Sequence, residues 1–268
     1  LYIYNISSNC SEYKKICEVG GDKEKFISCC WSHPNIGNLL GAASLNGKVN
    51  IFREINSGAG YESIFSLGEQ STVNCISFNS NKLSTDFEFC VGFSNGELGV
   101  VHYFQEKWIY KKRKAHKYGV SSLVCYNNKD TSVIFTSGND SLIKVWIVLD
   151  NDFELSMTLE KVHSGPITSL VIVEKENDKV NPNLISFGNK EEIFYWDINE
   201  ILNNGKNSYY KLNTNNFTQS INSFTPSLCG KYFTLSNSEG VNLFVNDKNE
   251  NILVSSTGSD GILVDKDN

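Results

Sequence analysis

The sequence is poor in the groups that catalysis and metal binding use most. Four histidines and one methionine occur in 268 residues, too few titrating rings for much acid–base chemistry. No phosphate loop, H-E-x-x-H, G-x-S-x-G or dinucleotide fingerprint is present, so no catalytic residue and no cofactor is expected. The single S-x-x-K match runs from Ser141 to Lys144 on an expected strand, where neighbouring residues face opposite sides. No apolar run approaches the roughly 18 residues that a membrane-spanning helix needs. The chain opens on the strand-like LYIYNIS and not on a charged segment followed by an apolar one, so no secretory leader is read from it. A formal net charge of -6, with 20% charged residues, gives no support for binding a phosphate backbone. With only four prolines and no stretch of clean helical periodicity, the chain reads as all-β.

Cysteine is better represented: Cys10, Cys17, Cys29, Cys30, Cys75, Cys90, Cys125 and Cys229. None forms a C-x-x-C pair, and no Cys/His cluster has zinc-like spacing, so no metal site is expected. Cys29, Cys75 and Cys125 fall inside apolar strand patterns, where a thiol behaves as a small hydrophobe. Buried free thiols in a reducing cytosolic or nuclear setting are the expectation. The N-x-S/T sequons at Asn5, Asn9, Asn139 and Asn216 then carry no glycan.

What the chain does have is a repeat. A short apolar strand with small polar residues at its centre recurs as FISCCW, VNCISF, VSSLVC, ITSLVI and INSFTP, starting at residues 26, 73, 120, 167 and 221. The intervals between those starts are 47, 47, 47 and 54 residues. A second piece ends on a large apolar residue: LYIY at Tyr4, VNIF at Phe52, LGVV at Val101, IKVW at Trp146, IFYW at Trp196 and VNLF at Phe244. One and three residues before its end every copy is apolar, as with Ile3 and Leu1 or Ile51 and Val49, the period of a β-strand. Just upstream lie turn formers: Asn46-Gly47, Asn95-Gly96, Asp140-Ser141 and Glu239-Gly240. Asn-Gly between apolar runs predicts a tight hairpin with positive φ at both central residues. A period of roughly 40–50 residues with four short strands per unit is that of a β-propeller blade.

Six copies of the second motif predict six blades over residues 1–256, followed by a flexible polar tail at 257–268. The polar segments 175–183 and 203–216 are expected as surface loops. The first blade is incomplete, supplying only an outer half, LYIYNIS and YKKICEVG, whereas the last blade supplies all its own strands. The expectation is therefore a ring without a strand-exchange clasp, as if about 40 preceding residues were absent. Such a ring leaves edges and apolar faces that need a cover, and an inserted β-segment supplies one.

One segment is similar to a known family. WSHPNIGNLLGAASLNGKVNIFRE, residues 31–54, resembles the W-A-H-P-x-x-G-N-x-L-A-S-C-S-Y-D-G-K-V-x-I-W stretch of the Sec-thirteen family of WD-repeat proteins. GNDSLIKVW, ending at Trp146, resembles that family's G-x-D-N-L-I-K-x-W, and AHKYGVSS its A-H-x-x-G-V-N-S. The fourth copy, GNKEEIFYW, departs by placing Lys190 at the turn aspartate. The resemblance implies a scaffold subunit of the COPII vesicle coat or nuclear-pore framework that accepts a β-blade from its partner. That partner would be a Sec-thirty-one-like coat subunit or an α-helical nucleoporin. The implied location is cytoplasmic, at ER-derived vesicle coats or the nuclear pore, with membrane association only through the coat.

WD repeats also imply a structural network of His116, Asp140 and Trp146 with Thr136 or Ser137; His163 lacks the aspartate, so its own network is expected to be partial. His33 is expected to shape a loop with Pro34, and the basic run Lys111, Lys112, Arg113, Lys114 and Lys117 to guard an outer strand edge. The partner would bind apolar residues flanking the gap: Leu1 and Ile3 on one side, Phe233, Leu235, Val241 and Leu243 on the other. An alternative reading is a peptide-reading adaptor that holds a short motif over the central channel of a closed ring.

Overall fold

A computed structural model describes residues 1–7, 11–21, 24–55, 60–79, 87–127, 131–150, 152–175, 178–188, 192–211, 223–227, 232–236, 240–247, 250–257 and 263–265. Each copy of both sequence motifs that falls in these segments is a strand. The first sheet holds only β1 (Tyr2–Ile6) and β2 (Tyr13–Glu18). Then follow β3 (Phe26–Trp31), β4 (Leu39–Ser44), β5 (Lys48–Ile55) and β6 (Gly60–Gly68), and after them β7 (Val73–Asn79), β8 (Phe87–Phe93), β9 (Glu97–Phe104) and β10 (Lys107–Lys114). A third set is β11 (Val120–Asn127), β12 (Ser132–Gly138), β13 (Ile143–Val148) and β14 (Phe153–Thr158). The fourth is β15 (Ile167–Lys175), β16 (Asp178–Gly188), β17 (Ile193–Asp197) and β18 (Tyr209–Lys211). The last comprises β19 (Ser223–Pro226), β20 (Tyr232–Ser236), β21 (Val241–Asp247), β22 (Glu250–Thr257) and β23 (Leu263–Asp265). Every sheet is built from consecutive strands in sequence order, giving a β-propeller arrangement of five blades and a partial sixth. Residues 221–222, Lys190, Glu239, Cys10 and Cys229 lie outside the described residues.

The second strands of the first two complete blades, β4 and β8, are buried along both faces, every residue included. That follows from stacking one twisted sheet on the next, so their sequences read as continuous apolar runs without alternation. The chain divides into two compact units, Leu1–Ile134 with Trp146–Ser156 and Phe135–Val145 with Met157–Asn268. In the first, Val49, Ile51, Val73, Phe89, Phe93 and Val101 form one core, and Cys90, Leu98, Val100, Val120, Ile134 and Trp146 another. The second unit has a core of Ile185, Phe187, Ile193, Phe224, Phe233, Leu235 and Phe244.

The hairpin turns differ from expectation. Gly47 and Gly96 have φ of 82° and 84°, but Asn46 and Asn95 do not adopt positive φ. The amide of Gly47 donates to Ser44 O at 3.1 Å and that of Gly96 to Phe93 O at 3.0 Å, so each loop is a turn closed by a left-handed glycine. A side chain is excluded at both: a Cβ on Gly47 would meet Glu69 O at 2.1 Å, and one on Gly96 would meet Tyr118 O at 2.1 Å. Ser141 takes the same place in the third blade with φ 66°. The turn with both central residues at positive φ is Gln105-Glu106, a two-residue link between β9 and β10 that carries no Asn or Gly to announce it.

Three segments expected as loop or tail contain regular structure. Residues 178–183 extend β16, pairing Asn183 with Val173 and Asp178 with Lys175; a polar composition does not prevent a backbone ladder. Residues 203–216 were expected as one loop, but α1 (Ile198–Asn204) ends within them and β18 follows. Asp197 caps α1 by accepting from Glu200 N, and Gly205 closes it at φ 62°. Within the expected tail, β23 pairs with Ser255–Thr257 as a fifth strand.

Candidate docking surface

The sheet β1–β2 stands apart because it has two strands where every other sheet has four or five. Ile3, 5% exposed, packs with Val19, Leu40, Ala42 and Phe52, and Leu1 and Tyr61 close around it. This contact ties the pair to the following blade. Period two then sends its neighbours to the opposite face. Tyr2, Tyr4 and Ile6 are 54%, 47% and 60% exposed, and Tyr13 across from Ile6 is 78% exposed. Tyr4 and Tyr13 meet edge to face at 5.9 Å, and Lys15 Nζ sits 3.8 Å above the Tyr2 ring. Among the described residues β1 pairs with β2 alone, so its other edge carries no strand.

The same alternation operates in the last blade. Phe233 and Leu235 are each 2% exposed and packed on Phe187, Phe224 and Phe244. Phe224, Phe233 and Phe244 form a ladder of rings 5.4 Å and 5.2 Å apart. Tyr232 and Val241 are exposed and Leu243 half-buried, on the other face, with Leu243 opposite Thr234 and Tyr232 opposite Val245. The six residues expected to bind a partner fall into two groups. Ile3, Phe233 and Leu235 are consumed by internal packing and Leu1 lies against it, whereas Val241 and Leu243 stay on an outward face. Exposed on these strands are Tyr2, Tyr4, Ile6, Tyr13 and Tyr232, which the sequence pattern did not single out. The signal was present, since an inward Ile3 places residues 2, 4 and 6 outward.

Three of the histidines, His102, His116 and His163, are buried. His116, Thr136, Ser137 and Trp146 are all buried, and Asp140 in its turn accepts from Leu142 N at 3.3 Å. The fourth blade contains the arrangement expected to be partial. His163 Nε2 lies 2.7 Å from Ser186 Oγ, which also accepts from Trp196 Nε1 at 2.8 Å. His163 Nδ1 faces Glu192 Oε2 at 3.6 Å, and the Ser164 amide donates to that oxygen at 2.8 Å. The missing turn aspartate is thus replaced by a carboxylate two residues later. Burial lowers the His163 pKa to about 4, against the pull of Glu192.

The basic run on β10 is engaged on both sides. Lys112 Nζ pairs with Glu69 at 3.2 Å and Glu97 at 3.1 Å, while Lys114 donates to Asn95 O. Arg113 reaches Asp152 at 2.8 Å and Phe153 O at 2.8 Å. Hydrogen bonding from Asn95, and then from Lys112, holds the Glu97 carboxyl below its usual range. Beside Lys112 is a polar groove of about 950 Å³ lined by residues that include Glu69, Gln70, Ser71, Ser94 and Glu97. A second polar row, unforeseen from sequence, crosses the second blade at Asn79, Glu88 and His102. Asn79 Nδ2 donates to Glu88 Oε1 and to Ser132 Oγ, both at 2.6 Å, and His102 Nδ1 is 2.7 Å from Glu88 Oε2. Cys29, expected as buried, is exposed, whereas Cys90 is buried. Among the described residues no cluster of three or more His, Cys, Asp or Glu side chains could hold a metal ion, and no helix is long and apolar enough to cross a membrane.

Comparison with known proteins bears on this sheet pattern. No protein-family model matches the chain. Protein transport protein SEC13 of Coccidioides immitis is 28% identical over 173 residues, covering 52% of this chain and 55% of that protein. Its namesake in Emericella nidulans is 27% identical over 174 residues, with the same two coverages of 52% and 55%. The chain resembles the Sec-thirteen family. It spans about half the length of the curated relatives it matches. A Sec-thirteen protein of Aspergillus fumigatus gives 25% identity over 189 residues, covering 57% of this chain and 61% of that one. Among solved structures, a chain of the mitotic checkpoint complex superposes with a TM-score of 0.64 over 98% of this chain and 77% of that one. At 16% identity that match speaks for the fold alone.

Proposed function

We propose that this chain is a non-catalytic scaffold subunit of a protein-transport coat that docks a partner's β-segment on its incomplete blade. The observation that carries the reading is the β1–β2 sheet, with one face packed on its own blade neighbour and the other a bare row of Tyr2, Tyr4, Ile6 and Tyr13. Tyrosine suits such a face, since it offers large contact area with a polar tip and is enriched in protein interfaces. A strand added beside β1 would satisfy its open backbone edge while covering the rings. Val241 and Leu243, on the outward face of the last blade, are the further contacts proposed for that partner. Likeness to SEC13 supports a coat subunit of the Sec-thirty-one kind as donor at ER-derived vesicles, with an α-helical nucleoporin as the pore counterpart. His116, Asp140 and Trp146 with Thr136 or Ser137 lock the third blade in the same scheme.

A peptide-reading adaptor would use a groove such as the one beside Lys112. There the lysine already bridges Glu69 and Glu97, and Tyr110 donates to Glu69 at 2.8 Å. Its charges are spent internally, which favours the incomplete blade.

The test is titration of the chain with the blade-forming segment of a coat subunit. Saturable binding is expected, weakened at least tenfold by Tyr4→Glu together with Ile6→Glu and unchanged by Lys112→Ala. No binding, or equal binding by the double variant, overturns the proposal.

A further inference from the structure

Cys90 on β8 and Cys125 on β11 lie on neighbouring blades of the first compact unit. Their sulfurs are in contact, with the Cys125 thiol pointing at Cys90 Sγ at 3.7 Å. Both belong to one apolar layer. Cys90 is fully buried among Leu98, Val100, Val120 and Leu123, with Cys75 and Cys125 packed against its margin. Cys125 is half-buried, so a small solute reaches it first. An S–S bond of roughly 2 Å requires the sulfurs to approach by less than about 2 Å.

We infer that Cys90 and Cys125 are a reversible oxidation site, closing to a disulfide that staples the second complete blade to the third when the chain meets a hydroperoxide. The first step takes place on Cys125: its thiol and hydrogen peroxide give the sulfenic acid and water. The Cys90 sulfur then attacks the sulfenic sulfur, the S–O bond breaks, and the Cys90 proton leaves with the hydroxyl as a second water. Two thiols are oxidised by two electrons and one peroxide is reduced. Burial raises the Cys90 pKa well above its ordinary value, which keeps it a thiol in the resting protein. Its role is to resolve an oxidised neighbour and not to be the initial target. Burial raises the Cys75 thiol as well, to about 12, so geometry decides between the two: the Cys125 thiol points at Cys90, and the Cys75 sulfur lies under Gly92.

Brief peroxide treatment of the folded chain, followed by alkylation and non-reducing peptide mapping, tests this. A crosslinked peptide pair joining Cys90 to Cys125 is expected in most molecules, lost on adding dithiothreitol and absent from Cys125→Ser. The oxidised wild-type chain should also unfold at a higher temperature than the reduced one, with no such shift in Cys125→Ser. Accumulation of Cys125 sulfinic acid without a crosslink, or a bond from Cys125 to Cys75, overturns the assignment. The wild-type map decides the matter even where the variant folds poorly.

Discussion

The first sheet and the second complete blade carry the same strand motif with opposite results. In β9 every residue from Leu98 to His102 is buried, so Val100 and Val101 are equally inaccessible. In β1 only Ile3 is buried, while Tyr2 and Tyr4 on either side are about half exposed. The residues have adjusted to that difference. Where both faces are covered β9 places Leu98, Val100 and Val101, whereas β1 carries Tyr2 and Tyr4 on its exposed face. Burial in a stacked fold is a property of having two neighbours.

The sharpest way to break this comparison is to remove packing from the fully covered blade. Phe89→Ala leaves a large hole between rings of Phe65, Phe78 and Trp108 and should cost about 3–5 kcal/mol in urea unfolding. A loss below about 1 kcal/mol would mean that the blade faces are not tightly stacked. Next in size is acid. Folding lowers the His163 pKa from 6.5 to about 4, so the unfolded chain takes up a proton that the folded chain refuses. The stability this group confers is complete above pH 6.5 and falls as the pH drops towards 4, by up to about 1.4 kcal/mol per unit. Glu192→Gln removes the charge that favours the protonated ring, and should carry the loss to still lower pH. Denaturation midpoints measured across the range would show it, and a flat profile would exclude it. The smallest effect is expected on the half-covered sheet: Tyr4→Ala should shift stability by no more than about 0.5 kcal/mol, against about 2 kcal/mol or more for adjacent Ile3→Ala. Similar losses at the two positions would erase the contrast between its faces.

Much of this fold was legible because β-strand periodicity and a repeat near 47 residues reinforce each other. The sequence motifs located strands such as β3, β7, β11 and β15 to within a residue or two. What misled was local. Asn46-Gly47 invited a two-residue turn, but Ser44 Oγ takes up the Lys48 amide at 3.2 Å and lengthens the loop. Gln105-Glu106 forms the tight turn because only two residues separate the paired Phe104 and Lys107. At the candidate surface, parity along the strand separates the buried apolar residues from the exposed ones. Apolar identity selected Ile3, Phe233 and Leu235, and apolar side chains go inward. Glu192 escaped notice because its carboxylate reaches His163 from two positions beyond the usual turn residue.

The account rests on where a partner strand adds. Amide hydrogen exchange of the chain, alone and with the β-segment of a coat subunit, tests it most directly. Protection should appear along Tyr2–Ile6 as the open edge of β1 gains hydrogen bonds, with little change around Glu69 and Lys112. Protection confined to the groove beside Lys112, with β1 exchanging as freely as before, would contradict it.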